Sequence, residues 1–280
     1  MTAPETRPWA RPLSEVFELE RRGDDHFVAR LDGFGAITLG CAVLAAARST
    51  DRPLHALHAW FLRPVSLERP SEIRVTRVRD GRRFAQRRVV VSSAGQPACE
   101  VMASFAVPAP GIDAQDDQLD PETPPPEALP SEAEIARAEG WKPGKPGPLG
   151  GPLEWRWIGG TPWRSEGPAA RSRYGAWVRP RFALPSEPAW HAAALAFLAD
   201  YHSHLGVARW LGAFHEPMHY TSLDQSLWLH RALAWDDWWH LTTEAVSAHA
   251  GRALTRRSLH ARDGRLVATM AQEQVIPSPG

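Results

Sequence analysis

The stretch HAAALAFLADYHSHLGVARW, from His191 to Trp210, decides how the rest of the chain is interpreted. Its small apolar residues recur at helical spacing and cover a wide face, which predicts a helix buried beneath a sheet. Asp200 lies within this predicted helix, and a buried carboxylate is costly unless it is hydrogen-bonded, ion-paired or open to a cavity. We therefore expect residues from the flanking strands to contact Asp200.

The composition sets limits on fold and partners. A chain of 280 residues is long enough for one large domain or two ordinary ones. Its 32 Lys and Arg balance 32 Asp and Glu, without the basic excess that favours nucleic acid or anionic membranes. The sequence lacks a run of about eighteen apolar residues, and MTAPETRPWARP at the start does not resemble a secretory signal. We expect a cytoplasmic protein with no membrane or nucleic-acid partner.

Cysteine and metal-ligand patterns favour no bound metal or cofactor. Cys41 and Cys99 are too far apart in the sequence to suggest a zinc cluster or a disulfide framework. Asp200, His202 and His204 have ligand chemistry, but residues at i and i+2 do not share a helix face, and no third ligand is indicated. Cofactors and metals are therefore both expected to be absent.

The first half predicts one helix followed by an antiparallel meander. Gly33-Phe-Gly35 ends a strand at His26 to Leu31, and Ala36 to Arg48 is a second Ala-rich helix. Turns at Asp80-Gly81 and Ala94-Gly95 predict hairpins, because glycine tolerates positive φ. The strands are predicted at His55 to Leu62, Ser71 to Arg79, Arg83 to Ser92 and Ala98 to Val107. This order is typical of an α+β fold in which the sheet wraps the helix.

A proline-rich connector from Pro108 to Pro152 separates the two halves. It predicts extended structure with one short helix at Ser131 to Gly140, where Ser131 and Glu134 have the spacing of a capping box. The domain boundaries follow from it: residues 1–112 form an N-terminal half, 113–150 the linker and 151–280 the C-terminal half.

The second half repeats the pattern of the first. A shift of 168 positions places Trp60 on Trp228 and Arg63 on Arg231, and it also aligns Arg88, Met102 and Ala103 with identical residues. The constant offset indicates duplication, and the two sheets are expected to join edge to edge. The strands after the connector are predicted at Leu153 to Ile158, Arg171 to Phe182, His219 to Arg231, Trp238 to Ala248, Ala253 to Ala261 and Arg265 to Val275.

These segments resemble the type II acyl-CoA thioesterases over nearly the whole chain, from Leu13 to Val275. The matching segments are Gly33-Phe-Gly35 with its helix, HAWFLRP (His58 to Pro64), RVRDGRRFAQRRV (Arg77 to Val89), ASFAVP (Ala103 to Pro108), LDQSLWLHR (Leu223 to Arg231), RDGRLVA (Arg262 to Ala268) and AQEQV (Ala271 to Val275). The resemblance implies a double hotdog, with two antiparallel sheets each wrapping a long central helix. It also implies an acyl-CoA substrate and a homodimer or higher homo-oligomer.

The resemblance further implies that Asp200, Ser222 and Gln272 hold the hydrolytic water. Thioester hydrolysis needs a base beside that water and donors for the developing oxyanion, so these residue types suit the chemistry. Backbone N–H groups of Gly35 and Ala36, at the start of the first helix, are the candidate oxyanion donors.

Several alternatives stay open from the sequence alone. Asp200 could be a structural acid paired with His204, Thr221 could face the site instead of Ser222, and the amides of Gln272 and Gln274 could be exposed. The run Arg82, Arg83, Arg87 and Arg88 is interpreted as a solvated face. The family's helix-start glutamine is replaced by Ile37, which leaves a non-hydrolytic relative that binds or dehydrates acyl thioesters as the second functional class.

Overall fold

The computed structural model of the protein describes residues 11–140, 151–161, 172–212 and 220–276. The helices are α1 (Leu13–Val16), α2 (Gly35–Ala47), α3 (Glu132–Ala138), α4 (Pro188–Asp200) and α5 (Leu205–Leu211). The strands of the first half are β1 (Glu20–Gly23), β2 (His26–Ala29), β3 (Leu54–Phe61), β4 (Ser71–Asp80), β5 (Phe84–Ser93) and β6 (Gln96–Ala106). Those of the second half are β7 (Leu153–Trp157), β8 (Tyr174–Pro180), β9 (Thr221–Ser222), β10 (Asp224–Leu229), β11 (Trp239–His249), β12 (Arg252–His260) and β13 (Leu266–Val275).

Most predicted elements are confirmed to within a few residues, because both helical and alternating patterns are local. The predicted strand from 219 to 231 is divided into β9 and β10, and its first residue, His219, lies outside the described residues. Arg171, the predicted start of β8, also lies outside them. Helix α1 and strand β1 were not predicted.

The described strands form one sheet rather than two separate ones. Their order is β1-β2-β4-β5-β6-β3-β10-β13-β12-β11-β8-β7, and β9 pairs with β13. Strands β3 and β10 pair antiparallel at the point where the two halves meet. The expected edge-to-edge contact is therefore present, and it fuses the two expected sheets into a continuous surface that leaves neither junction edge unpaired.

The register at the junction agrees with the 168-residue offset. Trp60 faces Asp224 and Ala56 faces Trp228, so that moving each residue by 168 positions converts the first pair into the second. His58 and Ser226, which differ by the same offset, face each other at the centre, with His58 Nδ1 3.0 Å from Ser226 Oγ. A local two-fold relation between the halves follows from this register.

Helices α2 and α4 pack against each other inside the curved sheet, as their apolar surfaces require. Every residue of α2 from Ala36 to Ala46 is buried, and so is every residue of α4 from Ala192 to Asp200. The start of α2 at Gly35 lies beside Asp200 at the end of α4, and Arg48 lies over the Trp190 ring near the start of α4. The two helices therefore run antiparallel.

The predicted helix from His191 to Trp210 is wrong in one respect, because it is interrupted after Asp200. Tyr201 adopts an extended conformation and His202 a left-handed one with φ of 59°, and the chain becomes helical again at Leu205. Asp200 is thus the last residue of α4 rather than an interior residue. Its side chain can reach the strands that pass the end of the helix.

The connector lies along the second half of the sheet. Gln115 bonds the backbone of Gly264 and Leu266, and the Trp177 indole donates to the Pro124 carbonyl. The predicted capping box is confirmed, since Ser131 accepts from the Glu134 amide while the Glu134 carboxylate accepts from the Ser131 amide. Within the described ranges, none of the helices is long and apolar enough to cross a membrane.

Candidate active site

Three polar side chains from separate segments converge at the end of α4. Ser222 Oγ donates to Asp200 Oδ1 at 2.6 Å. Gln272 Nε2 donates to the same carboxylate oxygen and to Ser222 Oγ at 3.0 Å. The three residues that the sequence singled out are therefore in mutual contact, although they are 22 to 72 positions apart.

Sheet pairing positions the two partners of Asp200. Ser222 lies on β9 opposite Gln274 of β13, so β9 brings the hydroxyl to the strand that carries Gln272. Thr221 is exposed, whereas Ser222 is half-buried and directed at Asp200, because neighbouring strand residues alternate between faces. Gln272 and Gln274 are both buried, so neither is the exposed amide considered from the sequence.

Opposing effects act on the pKa of the Asp200 carboxyl. Burial raises its pKa above the ordinary value, and this is the largest effect. The Ser222 and Gln272 hydrogen bonds, the charge of Arg257 and the Ala36 backbone N–H act in the opposite direction. A carboxylate with a raised pKa is a stronger base than an exposed one, yet these donors still favour its ionised form.

The site opens into a pocket of about 410 Å³. Asp200 and Ser222 lie on its wall, and Gly33, Phe34 and Gly35 from the start of α2 lie on the wall contributed by the first half. Much of the remaining lining is apolar, namely Phe61, Leu62, Pro64, Val65, Ala98 and Leu223. An apolar cleft with a few convergent polar groups is typical of a small-molecule site.

The start of α2 contacts the carboxylate directly. A Cβ atom added at Gly35 would lie 3.0 Å from Asp200 Oδ2 and 3.3 Å from Phe61 Cε1. Ala36 directs its backbone N–H to the Asp200 carboxylate. This N–H, one of the two predicted oxyanion donors, is thus engaged by Asp200, and the Gly35 N–H is the first without an intrahelical acceptor.

The interpretation of Asp200 and His204 as a pair on one helix face is wrong, because the helix ends between them. His204 precedes α5, and its ring stacks on Tyr220 with centroids 5.1 Å apart. Burial, and then the charge of Arg257, lower the pKa of His204 to about 4, so the ring is neutral at neutral pH. Among the described residues, no cluster of three His, Cys, Asp or Glu side chains could hold a metal ion.

Two buried arginines were missed by the sequence reasoning. Arg87 was assigned to a solvated face, but it is 1% exposed and donates to the side chain and carbonyl of Ser49, beyond the end of α2. Arg257 is 2% exposed and donates to backbone carbonyls at the end of α4. Alternation along β5 and β12 places both arginines on the buried face of their strands, and this signal could have found them, but the partners of each guanidinium depend on the packing.

Family models match both halves of the chain. The acyl-CoA thioesterase N-terminal domain matches residues 31–106, and the acyl-CoA thioesterase C-terminal domain matches residues 121–276. The second match alone spans more than half of the sequence.

Relatives and solved structures agree with the family models. The chain is 26% identical over 277 residues to acyl-CoA thioesterase 2 of Haemophilus influenzae, covering 94% of each chain. It is 30% identical over 257 residues to acyl-coenzyme A thioesterase 8 of Mus musculus, covering 87% of this chain and 79% of the relative. The structure of acyl-CoA thioesterase II TesB2 from Mycobacterium marinum is similar with a TM-score of 0.78 and 28% identity, covering 96% and 99%.

The fold class follows from these likenesses. A protein of Alicyclobacillus acidocaldarius described as having a hot dog fold is similar with a TM-score of 0.77 at 18% identity, covering 96% and 98%. The large antiparallel sheet around buried helices is thus a hotdog fold. The chain belongs to the type II acyl-CoA thioesterase family and is a hydrolase of acyl-CoA thioesters.

Proposed function

We propose that Asp200, Ser222 and Gln272 together hold and activate the water that hydrolyses the thioester. The observation that carries this proposal is that Ser222 and Gln272 both donate to Asp200 Oδ1, beside a pocket whose wall includes Asp200 and Ser222. A water in this position would meet a general base and two groups that can orient its hydrogen bonds.

In the proposed reaction, Asp200 accepts a proton as the water oxygen attacks the thioester carbonyl carbon. The carbon–sulfur bond then breaks, the coenzyme A sulfur takes up a proton, and the acyl group leaves as a carboxylic acid. Water supplies both the hydroxyl of the acid and the proton of the thiol, so the step requires no metal, redox partner or covalent acyl-enzyme. Orientation of the water by fixed neighbours replaces an activated side-chain nucleophile.

Gln272 contributes both ends of its amide to this arrangement. Its nitrogen donates to Asp200 and Ser222, while its oxygen is buried and accepts no hydrogen bond from the residues that the structure describes. Buried polar atoms are nearly always hydrogen-bonded, so this oxygen is suited to accept from the water. Ser222 donates to Asp200 and accepts from Gln272, which fixes the carboxylate and the amide that meet the water.

The Gly35 N–H is the proposed donor to the developing oxyanion. It is the first backbone N–H of α2, where the helix dipole favours negative charge. Ala36 is reassigned from this role, because its N–H stabilises the Asp200 carboxylate. The first half thus contributes to chemistry whose three side chains come from the second half.

We also propose that the two halves are two hotdog units and that the chain forms a homo-oligomer. The register of β3 against β10 supports the two-unit arrangement, because a shift of 168 positions converts the pair of Trp60 and Asp224 into the pair of Trp228 and Ala56. Trp60, Trp228 and Met102 are 58%, 37% and 44% exposed on the outer surface around this junction. A second copy of the chain, related by a two-fold axis, would cover this apolar surface.

Thiol release from a series of acyl-CoA substrates tests the proposed site. We expect Asp200→Asn to lower kcat by about 100-fold or more, in line with the loss of a general base, while the variant stays folded. Ser222→Ala and Gln272→Ala should each lower kcat less, because either one alone leaves the base in place. Asp51→Asn, a change at an exposed carboxylate beyond the other end of α2, is the control. Turnover by Asp200→Asn at the rate of this control would reject the assignment.

A further inference from the structure

The end of α4 has a negative charge at a position where a helix disfavours it. The last carbonyl groups of a helix form the negative end of its dipole, and Asp200 adds a carboxylate to the same end. The chain that follows is not a glycine cap, since Tyr201 is extended and His202 is left-handed. Both the carbonyls and the carboxylate therefore depend on donors from outside the helix.

The last carbonyl groups of α4 accept hydrogen bonds from the chain that follows and from Arg257. The Phe197 carbonyl accepts from the Tyr201 amide at 2.9 Å, and the Asp200 carbonyl accepts from the Ser203 amide at 3.2 Å. The Leu198 carbonyl accepts from Arg257 Nη1 at 2.6 Å, and the same nitrogen donates to the Tyr201 carbonyl at 2.9 Å. Arg257 therefore completes the end of α4 and joins it to the turn that follows.

We propose that Arg257 is a positioning residue, which fixes the end of α4 and with it the Asp200 carboxylate in the orientation that hydrolysis requires. This inference rests on the proposed role of Asp200. The guanidinium is itself held on its other side, where Nε donates to the buried Thr243 hydroxyl at 3.1 Å. Its planar fork spans β11 and α4, which the single ammonium of a lysine cannot reproduce.

Strand β12 connects Arg257 to the rest of the site. Arg257 faces Met270 of β13, and Thr255, two residues earlier on the same side of β12, faces Gln272. Strand β12 therefore carries two residues that are linked to the site. Arg257 holds the end of α4, and Thr255 pairs with Gln272, whose amide contacts Asp200. A displacement at Arg257 would move the carboxylate relative to Gln272 and Ser222.

The first half contains a matched arginine without a carboxylate to position. Arg87 donates to Ser49 just beyond the end of α2, and it also pairs with Asp80 at 2.8 Å. The helix that it supports ends at Ala47. Arg87 and Arg257 thus have the same helix-end role in the two halves, but only Arg257 lies at an end that carries a site residue.

The test compares Arg257→Lys and Arg257→Met with the same changes at Arg87, in the full chain. We expect Arg257→Lys to lower kcat by about tenfold, because displacement of a reacting group by about 1 Å costs on the order of 100-fold, with KM changed by less than about twofold. Arg87→Lys should keep the kcat of the folded protein. Thermal unfolding shows how far each variant is destabilised, and kcat is measured well below both transitions.

The pH profile of kcat separates positioning from general stability. Arg257 is the charged group that lowers the Asp200 pKa, and Arg63 is a second cation on the pocket wall. Burial keeps the neighbouring titratable groups neutral at neutral pH, namely Cys99, His202, His204 and Tyr220. Loss of the Arg257 charge in Arg257→Met should move the acid limb to higher pH, whereas Arg257→Lys should move it less. Because Arg257→Lys keeps the charge, a fall in kcat of that variant without a shift of the acid limb reports displacement of the carboxylate rather than a changed pKa.

Two outcomes distinguish this inference from the proposed catalytic role. If Asp200→Asn loses turnover while Arg257→Lys and Arg87→Lys have equal kcat at the pH optimum, Arg257 has no positioning role and the inference is overturned. If Asp200→Asn retains turnover, the role of Asp200 itself is wrong. Should Arg257→Met fail to fold, the kcat of Arg257→Lys against Arg87→Lys decides the question.

Discussion

Replacing Gly35 with alanine should slow hydrolysis without weakening the fold. The new Cβ would lie 3.0 Å from Asp200 Oδ2, whereas ordinary van der Waals contact begins near 3.4 Å. Phe61 Cε1, at 3.3 Å, limits movement in another direction. Asp200 is held by Ser222 and Gln272, so the carboxylate can relieve the contact only by shifting within its own hydrogen bonds.

The size of the effect follows from that displacement. A shift of roughly 0.4 Å is less than half of the 1 Å misplacement that costs on the order of 100-fold, so we expect kcat to fall about five- to tenfold. Alanine also restricts the unfolded chain, which contributes roughly 0.4–1 kcal/mol to the free energy of unfolding. The backbone N–H of residue 35 is retained, so the change isolates the carboxylate geometry from the proposed oxyanion donor.

Steady-state thiol release and thermal unfolding, measured on the same samples, give the two required quantities. Gly40→Ala in the same helix is the matched control, because the three atoms nearest to its Cβ would all belong to Phe17, with Cε1 at 2.5 Å. Overpacking there should cost about 1–3 kcal/mol in the free energy of unfolding, while the folded fraction keeps its kcat. The two glycines should therefore show opposite patterns.

Wild-type kcat in Gly35→Ala would refute this reasoning, since it would mean that the carboxylate tolerates displacement. A loss of stability as large as that of Gly40→Ala would refute it differently. That result would place the strain in the packing of α2 rather than at Asp200.

Two further predictions concern the connector and the quaternary state. Burial raises the pKa of Glu132 to about 7 despite the opposing charge of Arg181, so the folded state binds this proton more tightly than the unfolded state. The stability that Glu132 contributes below its unfolded pKa of 4.5 should be lost as pH rises through about 7. Urea unfolding should show a smaller decline in the free energy of unfolding over this pH range for Glu132→Gln than for the wild type. An identical decline in the two proteins would contradict this prediction. Light scattering should find an oligomer that Trp60→Glu dissociates. The control is Ile112→Glu, a change at a 98% exposed connector residue, which should leave the oligomer intact. A monomeric wild type would exclude the proposed interface.

Most of the elements, and the three residues that meet at the end of α4, could be predicted from the sequence for physical reasons. Alternation in the strands and the Ala-rich helical stretches are local signals, and the turn at Ala94-Gly95 is marked by its glycine, which readily adopts its φ of 77°. The trio followed from a resemblance of the segments around Ser222 and Gln272. Their convergence depends on strand register, which the structure supplies.

The break after Asp200 could not be predicted from the same signals. Neither proline nor glycine occurs between Tyr201 and Leu205, and His202 in a left-handed conformation has no sequence marker. The interruption depends on tertiary contacts, among them the hydrogen bond from Arg257 to the Tyr201 carbonyl. The same limit applies to Arg257, because a strand arginine becomes a helix-end donor only when the sheet curves around α4.

The position of Asp200 shows how the fold and the chemistry are linked. Burial and the negative end of α4 both disfavour a carboxylate there, so this position costs stability. Antiparallel packing places the opposite, positive end of α2 against it, through the Ala36 N–H, and Arg257 supplies a full positive charge from β12. In the first half, the corresponding helix end has Ala47 and needs no such compensation. The packed pair α2 and α4 therefore provides two helix ends beside the sheet, and a carboxylate is kept only where a helix start, a sheet arginine and two strand side chains together offset its cost.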